Sequence, residues 1–215
     1  SYLSQTSFPV LSEEGGEFPY EVRKDWALFW MVDPLDGTKD FLRRNGEFTV
    51  NIALISNREP VLGVIYIPDR QVLYFAEKGS GAFKITDVVW NDAADWNKLL
   101  LRAVKLPLPM YREGVIVASS RSYVNVHVAA FVDNLREQGS EVTLLVCGSS
   151  IKLCMVAEGS ADIYPRFSPC MEWDTAAMEI IATEAGGIFS GMDGNQFKYN
   201  KKNPENPQGF YLLNN

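Results

Sequence analysis

Two aspartates stand three residues apart in WALFWMVDPLDGTKDF, residues 26–41, where the apolar run ALFWMV ends in Asp33, Pro34, Leu35, Asp36, Gly37 and Thr38. The run has the length and character of a strand, and Pro34 and Gly37 predict a turn after it. Asp33 and Asp36 are therefore expected together at a strand end. Carboxylates held that close repel, and their proton affinity rises unless a cation sits between them. A hard divalent ion such as Mg²⁺ resolves the repulsion, because it takes carboxylate, carbonyl and water oxygens. The bland alternative is that both residues cap a turn and a helix. An EF-hand is excluded, since DPLDGTKDFLRR lacks the D-x-[DN]-x-[DN]-G spacing and the Glu at position twelve. Two other acidic stretches are weaker alone: Glu13 and Glu14 follow a short strand in PVLSEEGG, and Asp174 of EWDTAA serves equally as a helix N-cap or as a ligand.

The elements that must position these groups fall into two halves. Residues 1–110 read as a β-rich antiparallel lobe, with strands over 47–55, 60–68, 71–77 and 81–85 joined by short turns. Residues 111–215 alternate strand and helix and read as an α/β lobe: GVIVAS, a helix from about Ser120 to Gln138, EVTLLVC, a helix opening at GSSIKLCMVAEG, ADIYPRF, and a helix from Asp174 to Gly186 and Gly187. The polar tail KYNKKNPENPQGF is expected to run as a surface loop before a final strand, FYLLN.

Composition narrows the chemistry. The 215 residues carry a formal charge of −7 and a single histidine, His127, inside a helix-like stretch. The negative charge disfavours binding to nucleic acid polymers, which needs Lys and Arg against phosphates. One helical histidine argues against a triad built on a base histidine, and leaves acid–base work to carboxylates, hydroxyls or water. Three cysteines without a C-x-x-C pair argue against a disulfide framework and a zinc site and fit a reducing cytoplasm. No apolar run has the ~20 residues of a membrane span, and SYLSQTSFPV has no secretory character. Peripheral attachment at the inner membrane stays open, and a monomer or weak dimer is expected.

Taken in order, SEEG, DPLDGTKDF and WDTAA resemble the signature of the inositol monophosphatase superfamily of lithium-sensitive, magnesium-dependent phosphatases. Within it, KDFLRRNGEFTVNIALI and VAEGSADIYPRF are similar to bacterial 3'(2'),5'-bisphosphate nucleotidases rather than to inositol phosphatases. The resemblance runs from about Phe8 to the C-terminus. Haloacid dehalogenase phosphatases also place aspartates after an apolar strand, but with one intervening residue where this chain has two.

The resemblance implies an α+β, α/β fold, a layered αβαβα sandwich, and two or three Mg²⁺ ions held by Glu13, Asp33, the Leu35 carbonyl, Asp36 and Asp174. Glu14 is left unassigned. Gly37 and Thr38 offer N–H groups and a hydroxyl at a helix start as a phosphate cradle, and Thr38 is implied to orient the attacking water, so Glu13, Asp36 and Thr38 form the catalytic set. Bound cations would invert the local field and let an acidic protein hold an anion. Ser149, Lys152 and Arg166 are implied to bind the 5'-phosphate, with Arg121 a weaker candidate and Asp174 also facing substrate. The implied reaction is hydrolysis of 3'-phosphoadenosine 5'-phosphate to AMP and phosphate, clearing a by-product of sulfate assimilation. The alternatives are an inositol monophosphatase or sugar bisphosphatase, or a non-catalytic nucleotide-binding form. Relatives carry N-terminal helices and a D-x-V-T-x-A-D-like segment, whose Asp is thought to partner the motif Thr. No residue here matches it, so a truncated record is expected, with one apolar face of the antiparallel sheet uncovered.

Overall fold

The structure is a computed structural model that describes residues 2–16, 18–89, 95–111, 113–121 and 126–214. Strands β1 (Val10–Ser12), β2 (Leu28–Asp36), β3 (Thr49–Ser56), β4 (Glu59–Ile67), β5 (Val72–Glu77), β6 (Gly81–Ile85) and β7 (Val104–Lys105) form a seven-stranded sheet in sequence order. β1 runs parallel to β2, and every other pair is antiparallel. Short helices α1 (Tyr20–Arg23), α2 (Thr38–Arg43) and α3 (Trp96–Leu100) interrupt the meander. The second half builds a five-stranded sheet from β8 (Val115–Ser120), β9 (Val142–Cys147), β10 (Ile163–Arg166), β12 (Ile188–Gly191) and β14 (Phe210–Leu213), in the order β12-β14-β10-β8-β9. A two-stranded ribbon pairs β11 (Cys170–Met171) with β13 (Glu205–Asn206), and the helices of this half are α4 (Val126–Glu137), α5 (Ile151–Glu158) and α6 (Glu172–Glu184).

Alternation explains the layering. Along β3 the side chains of Thr49, Asn51, Ala53 and Ile55 are buried and those between them half-buried, so one face is packed and the other less so. α6 lies on the packed face, where Ala53, Gly63, Ala76 and Ala82 are successive cross-strand partners and form a trough of small residues. A Cβ on Gly63 would run into Ile180 Cγ2 and lie 2.5 Å from Ala177 O. Gly63→Ala is therefore expected to lift α6 off the sheet at about 2–3 kcal/mol of overpacking, a fall of roughly 5–10 °C in Tm for a chain of this length. Thermal denaturation followed by circular dichroism checks it, and an unchanged midpoint would show that the helix can slide without cost.

α5 packs beside α6 between the two sheets. α4 lies on the far face of the second sheet: Phe210 and Leu212 of β14 point into the core while Tyr211, with the opposite parity, meets Phe131 of α4. The layers thus run β, α, β, α, with a continuous core from Phe29 and Ile65 through Met178 to Leu212. The outer face of the seven-stranded sheet carries half-buried apolar side chains, and Val64, Phe75 and Phe83 line a groove of about 290 Å³ with Trp96 and Leu100 of α3 at its edge.

Several expectations change in detail. The strand before the aspartates does not stop at Pro34 but continues to Asp36 through an irregularity. Asp174 is not the N-cap of α6, since that position is Met171 and Asp174 lies one turn inside at N3; its carboxylate reaches back to accept the Met171 N–H at 2.9 Å. Gly186, with φ of 92°, and Gly187, whose N–H donates to Ala182 O at 2.9 Å, close that helix as expected. The tail is not merely a surface loop. Tyr199 and Asn200 are buried, the Asn200 side chain accepts from the Arg23 guanidinium and donates to the Arg23 carbonyl, and the buried Glu172 carboxylate accepts the Asn200 and Lys201 N–H groups at 2.9 Å each. The helix expected from Ser120 is α4, from Val126; residues 122–125 of that reading lie outside the described residues. Among the described residues no helix is long and apolar enough to cross a membrane, and all three cysteines are free thiols.

Candidate active site

In a regular strand, residues three apart point to opposite faces. β2 escapes this because its register against β3 shifts from Asp33↔Asn51 to Asp36↔Thr49, placing two residues, Pro34 and Leu35, opposite Val50 alone. Such a bulge re-aims the chain and turns Asp36 to the same side as Asp33. Pro34 suits the bulge because it brings no N–H to the ladder. The Asp33 carboxylate accepts the Leu35 N–H at 2.9 Å and so helps to hold the kink.

Glu13 arrives from the neighbouring strand. Its N–H donates to Val32 O at 3.1 Å, extending the parallel pairing of β1 with β2 by one residue and setting Glu13 beside Asp33. The first turn of α6 supplies Asp174. Carboxylate oxygens of Glu13, Asp33 and Asp174 lie within 4.8 Å of one another. Asp36 stands next to this trio, with Oδ2 accepting from the Ser150 N–H at 2.6 Å, the Ser150 hydroxyl at 2.6 Å and the Thr49 hydroxyl at 3.1 Å. Gly37 follows with φ of 89° and starts α2, and the exposed Thr38 hydroxyl donates to Leu35 O at 3.3 Å.

The electrostatics describe what is needed there. Burial pushes the Asp33 carboxyl up to about 9, and the charges of Asp36 and Glu13 add to it against the opposing Leu35 N–H. Burial likewise raises Asp174 to about 7, with Asp36 again contributing. Carboxylates in this state demand either protons or cations. The donors are all oxygens, with carboxylate atoms of Glu13, Asp33 and Asp174 within 4.8 Å of one another and Asp36 beside them, which fits a hard divalent cation and not a soft one.

The carboxylates open into a cavity of about 340 Å³ between the two sheets. Its walls also carry the three residues read as phosphate ligands. Ser149 sits in the turn before α5 with φ of 46°. Lys152 is 3% exposed; its ammonium donates to Ser149 O at 2.6 Å and Cys147 O at 3.2 Å and lies 5.3 Å from the centre of the Tyr164 ring. Arg166 donates to Pro169 O at 2.8 Å, and its buried Nε has no protein partner. Arg121, in contrast, is outside this cavity and paired with Glu47 at 3.1 Å and Asp40 at 3.8 Å, so its charge is already answered. His127, on α4, packs against Phe167 of the segment after β10, as an ordinary helix residue does.

The groups that hold Asp36 lie outside the acidic motifs. Thr49 and Asn51 occupy the buried parity of β3, among Ala53 and Ile55. Polar residues on the core face of an alternating strand are a signal of a buried polar site, and it was there to be read. Ser150, the neighbour of Ser149, carried no such mark.

The sequence pattern of the inositol monophosphatase family matches residues 3–210. The 3'(2'),5'-bisphosphate nucleotidase CysQ of Salmonella typhimurium (strain LT2) is 42% identical over 192 residues, covering 89% of this chain and 70% of its own. The protein of the same description from Escherichia coli (strain K12) is 41% identical over the same shares. The crystal structure of CysQ from Bacteroides thetaiotaomicron superimposes with a TM-score of 0.92 at 45% identity, covering 99% of this chain and 79% of that one. The fold, the bulged aspartate pair and these likenesses agree: the chain belongs to the inositol monophosphatase family.

Proposed function

We propose that this protein is a Mg²⁺-dependent 3'(2'),5'-bisphosphate nucleotidase that hydrolyses the 3'-phosphate of 3'-phosphoadenosine 5'-phosphate, giving AMP and inorganic phosphate, and that lithium inhibits it. The observation that carries the reading is the cavity in which an acidic cluster shares its walls with the buried Lys152, in the first turn of α5, and with Arg166, the last residue of β10. One end suits cations and the scissile phosphate, and the other suits a second anionic group. Relatives above 40% identity that are described as such nucleotidases support the choice of substrate.

In this reading Glu13, Asp33, the Leu35 carbonyl, Asp36 and Asp174 hold two or three Mg²⁺ ions. The ions would supply positive charge to the phosphoryl oxygens and acidify a water for in-line attack. The chain does the rest. Gly37 lets the backbone approach the scissile phosphate without a side chain in the way, and the Thr38 hydroxyl orients the attacking water. Asp174 stands at the cavity wall with Glu13, so both face substrate as well as cation. Ser149, Lys152 and Arg166 bind the 5'-phosphate, and Lys152 is preset for this because two carbonyls fix its ammonium, leaving one N–H to the cavity.

Phosphate release from 3'-phosphoadenosine 5'-phosphate, with inositol 1-phosphate alongside and Mg²⁺ and Li⁺ titrated, tests the proposal. Fast release from the nucleotide alone, lost on chelation and on adding Li⁺, is the expected result. Equal rates on both substrates would move the assignment to an inositol phosphatase.

A further inference from the structure

Two turns from different halves of the chain meet at the cavity, one carrying Asp36, Gly37 and Thr38 and the other carrying Gly148, Ser149 and Ser150. They approach closely because neither glycine has a side chain. A Cβ on Gly37 would lie 3.1 Å from Ser149 Cβ and 3.0 Å from Glu47 O, and one on Gly148 would strike the Asp40 carboxylate and lie 2.9 Å from Glu47 O. Two carboxylates then fasten the second turn, one from Asp36 itself and one from Glu47, whose carbonyl lies against Gly37. Asp36 Oδ2 takes both the N–H and the hydroxyl of Ser150, each at 2.6 Å. Glu47 Oε2 takes the Gly148 N–H at 2.8 Å. The Ser150 hydroxyl in turn accepts from Asn51 Nδ2 at 2.9 Å, which fixes its proton on Asp36.

We propose that Ser150 and Glu47 are positioning residues that clasp the Ser149–Lys152 turn to the Asp36 turn, so that cation binding and binding of the nucleotide 5'-phosphate reinforce each other. The inference rests on the nucleotidase reading. Its physical content is specific. With Oδ2 occupied by Ser150 and Thr49, Asp36 has only Oδ1 to offer a cation, in one orientation; supporting groups of this kind typically change metal affinity by about 10–100-fold. A cation that draws on Asp36 also stiffens the turn that carries Ser149 and whose carbonyls hold Lys152. Anchoring that turn once for both ligands gives positive coupling, and by linkage the coupling acts equally in both directions.

Calorimetric titration of Mg²⁺ into the full chain, with and without saturating AMP, tests it. AMP is the product and is not turned over. In the unaltered protein AMP is expected to tighten Mg²⁺ about tenfold, within the usual range of coupling. Ser150→Ala is expected to weaken Mg²⁺ about tenfold without AMP and to remove most of the AMP effect, and Ser150→Thr, which keeps the hydroxyl, to recover both. Glu47→Gln is expected to leave Mg²⁺ affinity within about twofold and to reduce the coupling alone, since Glu47 touches the turn and not Asp36. Thermal midpoints within a few degrees of the parent separate positioning from unfolding. Parental Mg²⁺ affinity in Ser150→Ala, or intact coupling in both variants, overturns the inference. If the parent neither binds AMP nor releases phosphate from the bisphosphate nucleotide, the nucleotidase reading and the coupling fall together. The Mg²⁺ titration of Ser150→Ala then still decides whether Ser150 positions Asp36.

Discussion

Asp33→Asn is expected to stabilise the cation-free protein while removing about three orders of magnitude of phosphatase activity, because the same carboxylate is a liability to the fold and a ligand for the reaction. Asp33 is 1% exposed. Burial, followed by the charges of Asp36 and Glu13, raises its carboxyl from 3.8 to about 9. A raised acid binds its proton more tightly in the folded than in the unfolded chain. Its contribution to stability is therefore fully present below about pH 4 and is lost as the pH rises through about 9. Asn keeps the acceptor for the Leu35 N–H and carries no charge at any pH, so the variant should lose much of this decline. Mg²⁺ acts in the opposite sense. It competes with protons for the site, so it stabilises the parent more at pH 8 than at pH 6 and the variant little at either. Thermal midpoints from pH 5 to 9, with EDTA or Mg²⁺, check the argument. A cation-free variant no more stable than the parent at pH 8 would mean that the carboxylates do not repel one another enough to matter.

How much of this was legible in the sequence depends on the range of the forces involved. The long antiparallel strands were, since alternation and turn residues are local: β6 falls on the expected residues 81–85, and β4 and β5 within one residue of theirs. The acidic motifs were also legible as a set. The helix start at Gly37 and Thr38 was legible as well, and α2 begins there; the two-residue strands β7, β11 and β13 and the short helices α1 and α3 were not, because two to five residues carry no period. The bulge in β2 was misread as a turn, although Pro34 marked the place, since a proline signals the loss of a donor without saying whether the strand resumes. Asp174 was misplaced by one turn because Asp caps helices from N3 as well as from the N-cap. The buried tail was invisible for a different reason. Asn200 and Arg23 are each polar and locally unremarkable, and only their meeting across 177 positions makes a satisfied buried pair. Nothing local records such a contact, and the same holds for Ser150 with Asp36.

Lys152→Met should lower kcat/KM for 3'-phosphoadenosine 5'-phosphate by about 10²-fold and change that for inositol 1-phosphate by less than about threefold, which would turn a nucleotidase toward an unselective monoesterase. The magnitude follows from burial. Lys152 is 3% exposed, and an ion pair with a phosphate in such a place is worth far more than one at the surface, where about 1 kcal/mol is usual. Methionine retains the apolar stem against Tyr164 and removes only the ammonium, so the change reports charge more than packing. The cost to the fold is modest, because the Ser149 carbonyl that loses a donor lines the cavity, where water can replace it, and only the buried Cys147 carbonyl is left short of a partner. The loss should appear mainly in KM if the 5'-phosphate is held equally in ground and transition states, and in kcat if its binding serves to align the 3'-phosphate with the cations. Equal losses on both substrates would place Lys152 in the common machinery instead, and the 5'-phosphate would then have to be sought at Ser149 and Arg166.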